Sequence, residues 1–123
     1  MSLGIVLIAH GSRRPEANAE LEWVADQLRQ RHPHWLVQGA YLEIAEPTIP
    51  QAIACCVESG AQHILLVPYF LSAGRHVSQD LEHIRCQAQE QYPNVHFSLG
   101  KPLGPHELLV RLLEQRINEA LKN

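Results

Sequence analysis

The chain has 123 residues, 46% of them apolar and 19% charged, a balance that suits one globular domain spanning residues 1–123 with a real core. No apolar run approaches the ~20 residues of a membrane-spanning helix. A net charge of −3 with no basic face argues against nucleic acid as a partner.

The opening Met1-Ser2-Leu3-Gly4 lacks the basic stretch, long apolar segment and cleavage site of a signal peptide, so a cytoplasmic location is expected. Ile5 to Ala9 then forms a continuous apolar run, the pattern of a parallel strand covered on both faces. Pro15 suits the first position of a helix carrying Ala17, Leu21, Val24, Ala25 and Leu28, which Pro33 stops. Trp35 to Leu42 is the second predicted strand. A second helix is expected from about Thr48 to Ser59, with Ile49, Ala52, Ile53 and Cys56 inward and Gly60 closing it. Ile64 to Val67 gives a third strand. Val77, Leu81, Ile84 and Ala88 mark a third helix that ends before Pro93. Val95 to Leu99 is a short fourth strand, and a fourth helix after Gly104-Pro105 uses Leu108, Leu109, Leu112, Leu113, Ile117 and Leu121.

This alternation predicts an α/β fold: a doubly wound, flavodoxin-like parallel sheet of four strands, flanked on both faces by helices and with right-handed crossovers. A strand order of 2-1-3-4 is expected by analogy with doubly wound sheets. Cys55, Cys56 and Cys86 show no CxxC spacing and read as buried, reduced thiols.

Ligands of such sheets bind outside the carboxyl ends of the strands. The loops there read Ala9-His10-Gly11-Ser12-Arg13-Arg14, Glu43-Ile44-Ala45-Glu46-Pro47, Pro68 through Ser72 to His76, and Gly100-Lys101-Pro102-Leu103-Gly104. His10 and His76 fall on this edge, with His106 at its margin. His32, His34, His63 and His96 fall elsewhere and His83 lies within the third helix; these five read as solvated or structural. Ser78 competes with His76 for capping the third helix. Two imidazoles beside a carboxyl group (Glu43, with Glu46 competing) can bind a divalent transition metal or exchange protons near neutral pH. Arg13, Arg14, Arg75 and Lys101 cluster in the same loops and favour an anionic ligand. Neither GxxxxGK[ST] nor GxGxxG occurs, so a nucleotide is disfavoured.

The opening strand ending in His10-Gly11-Ser12-Arg13, the Tyr41-Leu42-Glu43 to Glu46-Pro47 segment, and Pro68-Tyr69-Phe70-Leu71 followed by Gly74-Arg75-His76 and Asp80 resemble the class II tetrapyrrole chelatases. The match is to the short form of sirohydrochlorin cobaltochelatase and its ferrochelatase relatives, and it runs along essentially the whole chain. The resemblance implies insertion of Co2+ or Fe2+ into sirohydrochlorin with release of two protons, in cobalamin or sirohaem biosynthesis. It implies that His10 and His76 handle the metal and the protons, with Glu43 as a third catalytic participant. It implies substrate contacts from Ser12, Arg13, Arg14, Tyr69, Phe70, Leu71, Ser72, Arg75 and Lys101. Leu103 would join the aromatic residues as an apolar lip. For Tyr69, Phe70, Leu71 and Leu103, core or dimer contact is the alternative. No ATP or other cofactor is expected beyond the substrate metal. Because the chain has no internal repeat, the resemblance also implies a homodimer that completes the cleft. Nickel insertion into a related tetrapyrrole and a non-catalytic metal- or tetrapyrrole-binding module are the competing readings; an FMN-binding flavodoxin-like domain ranks below them.

Overall fold

Eight elements alternate along the chain in a computed structural model that describes residues 2–122. They are β1 (Leu3–Ala9), α1 (Pro15–Arg31), β2 (Leu36–Tyr41), α2 (Ile49–Glu58), β3 (His63–Pro68), α3 (Arg75–Gln91), β4 (His96–Leu99) and α4 (Glu107–Leu121). The strands form one parallel sheet in the order β2-β1-β3-β4, as the alternation predicts.

The central strand shows why the run is apolar throughout. Successive residues of β1 point to opposite faces. Val6 and Ile8 enter a core with α2, α3 and Phe97, whereas Ile5 and Leu7 pack with Leu21 and Ala25 of α1. Local chemistry sets the helix ends. Pro15 occupies the first turn of α1. Thr48 caps α2 through a reciprocal pair with Gln51: its hydroxyl accepts the Gln51 N–H at 3.3 Å, and its own N–H donates to Gln51 Oε1 at 2.8 Å. Gly60, with φ at +97°, takes the chain out of that helix in the left-handed region.

α4 departs from expectation. Its apolar stripe was expected to cover the sheet, yet no residue of α4 is buried; Leu108, Leu112, Leu113 and Ile117 are exposed, and Leu121 is 78% exposed. It packs extensively on no other strand or helix. With α2 and α3 on one face, α1 is the helix that packs on the other. That flank is thinly covered, and His63, Leu65 and Val67 of β3 stay half-exposed. Amphipathic spacing specifies that a face must be buried, not which surface buries it.

Of the cysteines, only Cys56 is buried; Cys55 and Cys86 are exposed, contrary to the reading from sequence. Adjacent residues on a helix point about 100° apart, so Cys55 and Cys56 cannot share one inward face. Burial, then the neighbouring Cys55, raises the Cys56 thiol pKa to about 11.

Candidate functional site

Past the ends of β1 and β2 the parallel pairing runs on. The Leu42 N–H donates to the Ala9 carbonyl at 3.0 Å, and the Glu43 N–H to the His10 carbonyl at 3.1 Å. This brings the two loops together and sets His10 beside Glu43. Gly11 makes the approach possible: its φ is +101°, and a Cβ there would fall 1.9 Å from the Glu43 carbonyl oxygen. On its other side the His10 ring stacks on Phe70, with centroids 4.6 Å apart and planes at 30°. Phe70 is itself half-buried against the α2–α3 core, so the imidazole rests on a fixed platform.

His10 and Glu43 open into a cavity of about 380 Å³, whose far wall comes from α3. The wall consists of Val77, Asp80, His83 and Ile84, and Leu42 completes the lining. His83 therefore belongs to this edge, not to the structural histidines. The sequence held a usable signal: Asp80 and His83 lie at i and i+3, neighbours on one helix face, and that face points back toward the β1 loop. Glu46 does not line the cavity and is exposed, which favours Glu43.

His76 does not line the cavity either. It was expected to end the loop, but α3 starts at Arg75 and His76 is its second residue, exposed. The extended backbone of Gly74 precedes the helix without a side-chain cap, and the Ser78 N–H donates to the Gly74 carbonyl at 3.0 Å. Ser78 is thus inside the first turn and not its cap. His76, Asp80 and His83 recur at i, i+4 and i+7, so they share one stripe of α3. Among the described residues no three His, Cys, Asp or Glu side chains converge into a metal-holding cluster.

Arg13, Arg14, Arg75 and Lys101 are exposed, and among the described residues none makes an ion pair. Ser12 is committed to its loop: its N–H donates to Asn18 Oδ1 at 3.0 Å, and its hydroxyl accepts the Arg14 N–H at 3.1 Å. Tyr69 packs with the α1 cluster and donates to Glu20 Oε1 at 3.2 Å. Leu71, 64% exposed, lines with Ser72 a separate apolar groove against α4. Leu103 is also exposed. His106 is the N-cap of α4, its Nδ1 accepting the Leu108 N–H at 3.0 Å.

Fold and site define a doubly wound α/β protein with an imidazole–carboxylate cavity at the carboxyl edge of its sheet. The CbiX family model matches residues 4–120, and the chain belongs to the CbiX family. It is 34% identical over 120 residues to the chloroplastic sirohydrochlorin ferrochelatase of Arabidopsis thaliana, covering 98% of this chain and 53% of that protein. It is 33% identical over 126 residues to the sirohydrochlorin cobaltochelatase of Methanosarcina acetivorans, covering 97% of each. The cobalt complex of the sirohydrochlorin chelatase SirB from Bacillus subtilis subspecies spizizenii superimposes with a TM-score of 0.87 at 30% identity, over 97% of this chain and 51% of that one. The chain thus spans about half the length of the chloroplast and Bacillus relatives and nearly all of the Methanosarcina one.

Proposed function

We propose that this chain catalyses insertion of a divalent metal, Co2+ or Fe2+, into sirohydrochlorin, exchanging the cation for the two protons of the pyrrole nitrogens. The shared cavity of His10 and Glu43 carries the reading, because imidazole and carboxylate are both metal donors and proton acceptors. His76, at the start of α3, is the third participant in the metal and proton steps. Arg13, Arg14, Arg75 and Lys101 form a cationic rim for the carboxylates of the macrocycle. Phe70, behind His10, restricts how that ring can turn. The exchange draws on neither ATP nor a redox cofactor.

The working form is a homodimer. The support is α4: a 15-residue helix with an exposed apolar face does not persist in water without a cover. A second copy supplies a matching surface, either another α4 or the half-exposed β3 flank. The groove of Leu71, Leu109, Leu112 and Leu113 at its base, about 550 Å³, offers the seat. Relatives about twice as long carry enough chain for two such units.

The test is anaerobic incubation of sirohydrochlorin with Co2+, Fe2+ or Ni2+, followed by absorbance. A rate above the uncatalysed control with cobalt or iron is expected. Saturable tetrapyrrole binding without acceleration would replace the enzyme by a binding module. Light scattering on a sizing column is expected to give twice the 13.9 kDa chain mass. L112E combined with L113E is expected to give monomers, and an active wild-type monomer would overturn the dimer.

A further inference from the structure

The cavity has two walls, one bearing His10 and Glu43 and the other formed by α3. We propose that Asp80 and His83, on the α3 wall, dock the incoming divalent cation and hand it to His10 and Glu43; this rests on the insertion reading above.

Asp80 and His83 are adjacent on the helix surface and face the same cavity as His10. Both are exposed, and among the described residues neither side chain makes a hydrogen bond or ion pair. The neighbouring acid on α3 behaves differently. Glu82 is held by Arg85 at 2.6 Å, and on α1 both Glu22 and Asp26 are held by Arg29. Asp80 is therefore left available on a helix whose next carboxylate is already neutralised.

The charge pattern says what it is available for. The cavity is lined by two carboxyl side chains and two imidazoles, and by no lysine or arginine. Such a lining attracts a cation and repels a polycarboxylate, whereas the arginines of the rim do the reverse. Metal and macrocycle are thereby sorted to different surfaces of one site. An imidazole with a carboxylate suits Co2+ and Fe2+ better than Ca2+ or Mg2+. Because no three donors are clustered, the ion would keep part of its water shell on the α3 wall. A loosely held ion is what a transfer step needs, since a closed four-ligand cage would retain it.

The test uses D80N, H83Q and the double variant, with H63Q as a control at the far edge. Co2+ alone is titrated into each protein by calorimetry. Affinity is expected to fall about tenfold in the double variant and to hold in H63Q. In the insertion assay the KM for Co2+ is expected to rise by a similar factor, with the KM for sirohydrochlorin and kcat within twofold of wild type. Circular dichroism checks that the exposed substitutions leave the fold intact. Unchanged Co2+ affinity and KM would overturn the docking wall. A fall in kcat at unchanged metal KM would also overturn it, because the pair would then act in the chemistry itself. Should the wild type bind Co2+ but insert none, with binding weakened in the double variant, the cation site would stand and the insertion reading would fail.

Discussion

At the amino edge of the sheet His63 and His96 are occupied. His63 Nε2 lies 2.9 Å from Ser98 Oγ, which lies 3.3 Å from His96 Nε2, and the two rings sit 4.5 Å apart. His32, after α1, stacks on Trp35 at 3.7 Å. At the carboxyl edge His10, His76 and His83 make no side-chain hydrogen bond among the described residues; His10 is positioned by stacking alone. His63 and His96 spend ring nitrogens on the fold, whereas His10, His76 and His83 leave theirs free for a ligand; His32, like His10, is held by stacking alone. Burial does not separate the groups, as His96 and His10 are both exposed. What separates them is whether a neighbouring polar atom has taken the nitrogen.

The strongest way to break this contrast is to remove one ring from each edge. His10→Ala is expected to lower the insertion rate by about a hundredfold or more, the usual scale for losing a residue that moves a proton in the reaction. His63→Ala is expected to change it by less than about twofold, and to cost about 1 kcal/mol in stability through the lost Ser98 bond. Initial rates and urea titrations of the two variants measure both effects. Equal rate losses would mean that the edges do not divide function in this way.

The two left-handed glycines sharpen the contrast in terms of stability. Gly11 on the carboxyl edge combines φ at +101° with a carbonyl oxygen 1.9 Å from any added Cβ. Gly60 on the amino edge has φ at +97° and nothing within 4 Å of that position. Gly60→Ala is expected to cost roughly 1–2 kcal/mol, the penalty of the backbone conformation alone. Gly11→Ala is expected to cost roughly 3 kcal/mol or more and to part the His10 loop from Glu43. Thermal denaturation should rank them in that order, and a milder Gly11→Ala would mean that the loop can yield without loss.

Much of this organisation was legible in the residues. Continuous apolar runs marked the strands, their alternation with helices gave the parallel sheet, and position relative to strand ends selected His10, His76 and Glu43, of which His10 and Glu43 line the cavity and His76 does not. Three features were not legible, each for a physical reason. His83 needed the rotational phase of α3 against the β1 loop, which depends on tertiary packing. The setting of α4 needed knowledge of which surface meets its apolar face, which amphipathic spacing does not carry. Tyr69 and Phe70, read as one lip, diverge because neighbouring residues leaving a strand turn to opposite faces: one packs toward α1 and the other beneath His10.

The smallest expected effect concerns pH, and it belongs to the amino edge, where Cys56 packs near Gly4 and Ala61. Burial, then the adjacent Cys55, raises its thiol from 9.0 to about 11. Above pH 9 the unfolded chain therefore gives up this proton while the folded chain keeps it. Its contribution to stability is complete below pH 9 and is lost as pH rises toward about 11. Tyr41 and Tyr69, both raised chiefly by burial, add a decline of the same sign above pH 10.0. At pH 10 the loss from the thiol should be on the order of 1 kcal/mol. Urea midpoints of wild type and Cys56→Ala at pH 8 and pH 10 isolate it, because the cavity left by alanine shifts both midpoints alike. The variant should lose less stability between the two pH values. Parallel declines would assign the alkaline limit to the tyrosines, one of which, Tyr69, follows β3 at the functional edge.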